Sequence, residues 1–274
     1  MTSCLGMGGR NKLLSGVRAK VIRAKHHFRD LNTAISAMFA SQQNDSPPGH
    51  QYKSDRQELI ITLEKGVKIN PAVPLIIGDC IHNARSALDH LVGQLAVLNN
   101  APTESISKTS FPVCLEPSEF ERAVAKRIAP FISPAALAEI EKLQPYATGN
   151  AGKDDVLWVL SQLDIIDKHR LLIVAVTKFR PISFTVTMRA GEHFIQKDIT
   201  SDNWKRSEDG AEIIRFSFSE DPGKVNVKLN TASRIQIENT GLICDRMPIQ
   251  VILSDSIQYV KNVVDGFGNL FFDE

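Results

Sequence analysis

Between Gly78 and Gln94 an arginine, two histidines, two aspartates and an asparagine (Arg85, His82, His90, Asp79, Asp89, Asn83) stand among apolar residues. Such groups are costly to bury unless they are paired, so this stretch is the first place to look for a working site. A guanidinium forks onto phosphate oxygens and keeps its charge, and an imidazole exchanges a proton near neutral pH. Carboxylates and imidazoles can also hold a metal ion.

The element that positions these groups reads as one long helix. Asn70-Pro71 supplies an N-cap and a first-turn proline, and Asn99-Asn100-Ala101-Pro102 ends the helix after about Leu98. At about 100° per residue, Asp79, His82, Asn83, Ser86 and His90 share one side, with Arg85 and Asp89 an i, i+4 pair on the adjoining flank. A partner helix is expected to begin near Asp154 or Asp155 and to close at Asp167-Lys168-His169-Arg170, where cations suit the negative end of the helix dipole. Two proline-initiated helices, Pro117 to Ile128 and Pro134 to Leu143, lie between them.

Upstream, Val17, Val21, Ala24, Phe28, Leu31, Ile35 and Met38 alternate at spacings of four and three, the stripe of a long helix that wants a partner. Ser41 to Gly49 reads as a loop and Gln57 to Lys65 as a short strand. From Leu171 the texture turns to β-branched runs: 172–177, 182–188, 194–199, 213–219, 225–229 and 235–238. A helix starting at Ser254 or Asp255 closes the chain. Strands gathered after helices predict an α+β fold: an N-terminal α-helical bundle followed by a mostly antiparallel β-sheet and a C-terminal helix. The expected division is a helical region, 11–170, and a β-rich region, 171–274, packed together or apart.

Charge is uneven. Up to position 30 there are seven basic residues (Arg10, Lys12, Arg18, Lys20, Arg23, Lys25, Arg29) against Asp30, a local +6, so the remainder carries −5 to give the formal +1. Arg18, Lys20, Arg23, Lys25 and Arg29 are the candidates for contact with a phosphate backbone, the competing reading being a solvated helix face. Cys4, Cys80, Cys114 and Cys244 show no Cys-x-x-Cys spacing, which argues against a structural zinc site and a disulfide framework. No apolar run approaches the roughly 18 residues of a membrane span, and the N-terminus lacks the apolar core of a secretory signal, so a cytoplasmic location without membrane association is expected. Gly149-Asn150-Ala151-Gly152-Lys153 lacks the spacing and context of a phosphate loop, and there is no Gly-x-Ser-x-Gly or His-Glu-x-x-His.

Arg85 and His90, spaced Arg-x4-His on a helix of a small bundle, resemble the hallmark of the HEPN superfamily, many of whose members are metal-independent endoribonucleases of toxin and defence systems. The resemblance implies that Arg85 holds the scissile phosphate and that His90 acts as base or acid. It also implies RNA as the partner, no cofactor, no metal, and a homodimer in which two motif helices meet. His82, Asn83, Asp89 and Asp79 would support the pair, with Asp164, Asp167 and His169 as partners from the second helix. Separately, Ile77-Gly78-Asp79, His82-Asn83, Arg85 to Leu91, Gln144-Pro145-Tyr146, Leu157-Trp158, Leu163-Asp164 and Asp167 to Arg170 resemble a family of uncharacterised bacterial proteins over about positions 70 to 175. That likeness implies that these segments form one helical unit with a β-rich companion.

Three classes of function compete: the ribonuclease; a metal-binding helical-bundle hydrolase or sensor, with Asp79, His82 and His90 meeting Asp164, Asp167 or His169; and a non-enzymatic ligand-binding or interaction module. In the last, Arg85–Asp89 and Asp167–Arg170 are structural ion pairs.

Overall fold

The computed structural model describes residues 7–45, 49–53, 58–62, 69–149, 152–169, 172, 174–188, 212–217, 225–245 and 247–272. The strand expected at 194–199, Cys4 and Arg170 lie outside the described residues.

Helix α1 (Met7–Asp45) carries the predicted stripe inward, with Val17, Val21, Ala24, Leu31, Ile35 and Met38 buried, Phe28 half-buried, and Leu14 buried one turn ahead of it. It continues to Asp45, past the start of the loop expected from Ser41. Helix α2 (Ala72–Leu98) follows Pro71 and ends in a motif that the Asn99-Asn100 pair makes possible. Asn100 adopts a left-handed φ of 57°, its N–H bonds the Val97 carbonyl, and the Ala101 N–H bonds the Ala96 carbonyl. This is the Schellman closure, with asparagine in the place that usually takes glycine.

The short α3 (Thr103–Ile106), α4 (Pro117–Arg127) and α5 (Pro134–Lys142) come next, and Ser133 Oγ caps α5 by accepting from the Ala136 N–H. Helix α6 (Val156–His169) is started by the buried Asp155, whose Oδ1 accepts from the N–H groups of Leu157 and Trp158. The last helix, α7 (Ile249–Phe271), begins after Pro248, a turn and a half ahead of the expected start.

The chain divides into two compact units. The first comprises Met1–Asn32, Pro71–Ile173 and Ile237–Glu274. Its core is the mutual packing of α2, α6 and α7. Ile77, Ile81, Leu88, Leu157, Leu160, Leu253, Val260 and Val264 are almost wholly buried there, each contributing about 1.5–3 kcal/mol relative to exposure. The Cys80 thiol of α2 donates to the Ala24 carbonyl of α1, so α1 joins this core through its first part.

The second unit comprises Thr33–Asn70 and Val174–Gln236. Its backbone strands are β1 (Gly49–Lys53), β2 (Glu58–Thr62), β3 (Val174–Met188), β4 (Glu212–Ser217) and β5 (Val225–Ile237). β2 runs antiparallel to both β1 and β4, with an irregularity between Ile61 and Thr62, whereas β3 pairs with β5 in a separate ribbon.

The expected α+β class, a bundle followed by a mostly antiparallel sheet, is therefore corrected. Of the residues described down to their side chains 72% are helical, and the single run of strand among them is the three-residue end of β5, Ile235–Ile237. The strands are not gathered after the helices, since β1 and β2 precede α2, and the expected C-terminal helix is longer than its cap signal suggested and packs in the first unit. Ile249, Ile252, Leu253, Ile257, Val260, Val263, Val264 and Phe267 are buried from α7. Their spacing of three and four outweighs the β preference of Ile and Val, which reflects packing context more than backbone. Among the described residues, no helix is long and apolar enough to cross a membrane.

Candidate functional site

The polar side of α2 divides into two separate clusters, both within the first unit. In one, the Arg85 guanidinium donates to Asp89 Oδ1 at 2.7 Å through one terminal nitrogen and to the Phe111 carbonyl at 2.7 Å through the other. Asp89 Oδ1 also accepts from the Phe111 N–H at 2.9 Å. Three residues thus close a ring that ties the irregular segment between α3 and α4 to the middle of α2. The Arg85 side chain is only 12% exposed, so its donors are committed inside the fold. His90 is exposed, and about 140° around an ideal helix from Arg85. The arginine and histidine of the Arg-x4-His spacing do not converge.

The second cluster lies one to two turns earlier. His82 Nδ1 is 3.4 Å from Oδ1 of Asp164, a buried α6 carboxylate whose other oxygen takes the Lys168 ammonium. Asp167, one turn beyond Asp164, lies against the backbone of α2 at Gly78, where an added Cβ would come within 2.6 Å of both its carboxylate oxygens. The bare backbone of Gly78 is what admits this carboxylate. Burial, with repulsion from Asp164 and Asp79, pushes the Asp167 carboxyl above the usual carboxylate range, against the attraction of His82. From α1, His27 Nδ1 approaches Asp79 at 3.9 Å, and Asn83 donates to the Asp79 carbonyl.

Of the residues expected to work together, Asp79, His82, Asp164 and Asp167 are thus gathered, while Arg85 and Asp89 serve the other cluster and His90 and His169 are exposed. Among the described residues, no three His, Cys, Asp or Glu side chains stand close enough to hold a metal ion, so the convergence required for a metal centre is not found there. Cys80 and Cys114 are buried free thiols, and burial drives Cys80 up to about 12, far from a nucleophile's range.

The basic residues of α1 also separate. Arg18, Lys25 and Arg29 fall within an arc of about 40° on an ideal helix, whereas Lys20 and Arg23 point elsewhere. Arg18 and Lys25 line an open groove of about 230 Å³ between α1 and α7, with Val21, Ile22 and Val264 as its apolar part and Lys261 and Asp265 on the α7 side. Ile22 is 53% exposed there. Lys261 and Asp265 come from the far end of the chain, and sequence reasoning missed them. The only signal was their four-residue spacing on a helix whose partner the sequence does not name.

Comparison with family models, with curated proteins and with solved structures finds no match for this chain, so the likeness to the HEPN superfamily rests on Arg85 and His90 alone.

Proposed function

We propose that this protein is a non-catalytic module whose helical unit binds RNA along the α1/α7 groove, through the phosphate backbone. The observation that carries the reading is the alignment of Arg18 and Lys25 on one strip of α1, with Lys261 facing the same groove from α7. Arg29 continues the strip, which rises about 16 Å from Arg18 to Arg29 on an ideal helix. A linear row of cations suits a polyanion better than a compact anion.

The groove lining contains no aromatic residue, so bases have no stacking surface in it and binding is insensitive to base sequence. Phosphate contacts of this kind give micromolar or weaker affinity, falling steeply with salt. Catalysis is left out because Arg85, the phosphate-holding residue of the ribonuclease expectation, spends two of its nitrogens on Asp89 and Phe111.

The test is fluorescence anisotropy with a labelled single-stranded oligonucleotide in chelator, read across a salt series, with the same samples run on a denaturing gel. Arg18→Glu and Lys25→Glu are expected to weaken binding equally for all sequences, while His90→Ala leaves it unchanged and the RNA stays intact. Absence of binding at low salt overturns the RNA reading. Cleavage that Arg85→Ala and His90→Ala both abolish, in folded protein, overturns the non-catalytic part.

A further inference from the structure

The groove contains its own anion. Asp265 lies one turn beyond Lys261 on α7 and its carboxylate accepts from the Lys261 ammonium, beside the Arg18 and Lys25 that line the same groove. Lys261 is 41% exposed and Asp265 43%. An ion pair so open to solvent adds little to the stability of a helix, so the fold does not require it. Its position is more telling than its strength: the carboxylate occupies the α7 cation that faces the cations of α1.

Resting on the RNA reading above, we infer that Asp265 is a specificity-determining residue, a built-in competitor that reserves Lys261 for a phosphate belonging to a chain. A free phosphate or a mononucleotide has to displace the Asp265 carboxylate at its own bulk concentration. A chain already held by Arg18 and Lys25 presents its next phosphate at an effective concentration in the millimolar range, with no further loss of translational freedom. The exchange replaces one anion by another on Lys261 and leaves Asp265 solvated, which its exposure permits. The groove therefore prefers polymer to monomer, and Asp265 sets the shortest chain that is retained.

The experiment measures the affinity of full-length wild type, Asp265→Asn, Lys261→Gln and the double variant for labelled oligouridylates of about 3 and about 12 nucleotides, with unlabelled inorganic phosphate as competitor. Asp255→Asn is the control for bulk charge: Asp255 is exposed on the same helix, about 15 Å along it from Asp265, and outside the groove lining.

Asp265→Asn is expected to bind the short chain about fivefold tighter, to gain less with the long one, and to steepen the salt dependence of the short chain by about 0.7, the value for one added phosphate contact. It also makes inorganic phosphate a better competitor. The double variant behaves like Lys261→Gln, because Asp265 acts through that lysine.

Equal gains from Asp265→Asn and Asp255→Asn, or no gain from Asp265→Asn in a protein that still binds through Arg18 and Lys25, overturn the inference and leave the RNA reading standing. If neither wild type nor Asp265→Asn binds either chain, the RNA reading falls first and the role of Asp265 falls with it.

Discussion

Arg85 donates a guanidinium N–H to the carbonyl oxygen of Phe111 at 2.7 Å, fixing to α2 a segment that Gln144 holds on its other side through the Pro112 carbonyl and the Cys114 N–H. Asp89 completes the contact by accepting from both Arg85 and the Phe111 N–H. Arg85→Ala leaves a carboxylate without its cation and a carbonyl without its donor in a mostly desolvated place. The expected loss is about 2–3 kcal/mol of unfolding free energy, read from urea titration. Arg85→Lys recovers only part of it, because an ammonium does not reproduce the planar two-pronged donor. His90→Ala, at an exposed position, changes stability by less than about 0.5 kcal/mol. Equal stability of Arg85→Ala and wild type would show that the ring does not hold the segment.

The approach of Asp167 to Gly78 can be tested by a double-mutant cycle. An alanine Cβ at position 78 would stand 2.6 Å from the Asp167 oxygens and 2.8 Å from its Cγ, so the carboxylate has to move off α2. Gly78→Ala alone is expected to destabilise by about 1–2 kcal/mol, the cost of overfilling outweighing the gain in helix propensity. In an Asp167→Ala background the same change stabilises, by up to about 1 kcal/mol, since only the propensity gain is left. Additive effects of the two substitutions would mean that the residues do not press on one another.

Asp167 also predicts a pH dependence. Its carboxyl is raised by burial and by the neighbouring Asp164 and Asp79, so the folded state holds this proton more tightly than the unfolded chain does. The associated stability is fully present below the ordinary carboxylate value and is lost as pH rises through the raised native value. Asp167→Asn removes the ionisation. It is expected to be more stable than wild type at neutral pH, by less than about 1 kcal/mol because the group is partly solvated. The advantage shrinks as pH falls through the acid range. Thermal unfolding across that range measures it, and a constant difference at every pH would contradict the assignment.

What the sequence made legible was local. The end of α2 followed from the Asn99-Asn100 pair and the starts of α5 and α6 from Ser133 and Asp155, because caps act within one turn of the residue that supplies them, whereas α2 starts one residue later than expected, with Pro71 in the cap position and no side-chain cap bond. The meeting of Asp79 and His82 with Asp164 and Asp167 could be anticipated because two helices with polar faces were already in view. The Phe111 ring was not legible, since a backbone carbonyl has no signature in a sequence. Neither was the groove, which joins α1 to a helix at the other end of the chain. The C-terminal helix was legible from the spacing of three and four of Ile257, Val260, Val263, Val264 and Phe267, but its start at Ile249 was not, because Ile249, Ile252 and Leu253 precede the Ser254 and Asp255 that suggested a cap.

Tyr259, on α7, supplies the last prediction. Among the described buried side chains, its hydroxyl is the polar atom left without a hydrogen-bond partner. Burial first, and then the charge of Asp155, pushes it up to about 12 from an ordinary 10.0. Asp155 gives no bond in return; its carboxylate accepts from Leu157, Trp158 and the Thr148 hydroxyl. An unpaired buried hydroxyl costs more than the ring around it requires, so Tyr259→Phe, which keeps the ring and removes the hydroxyl, is expected to raise stability by about 0.5–1 kcal/mol near neutral pH. The linkage has a definite sign. A tyrosine raised in the fold contributes stability that is complete below 10.0 and is lost as pH rises through about 12, so wild type weakens over that interval. Tyr146 is raised to the same value and weakens the fold in parallel, so Tyr259→Phe removes only part of the decline. Urea titrations at neutral and at alkaline pH separate the two effects. A loss of about 1 kcal/mol at neutral pH on substitution would mean that the hydroxyl has a partner in solution.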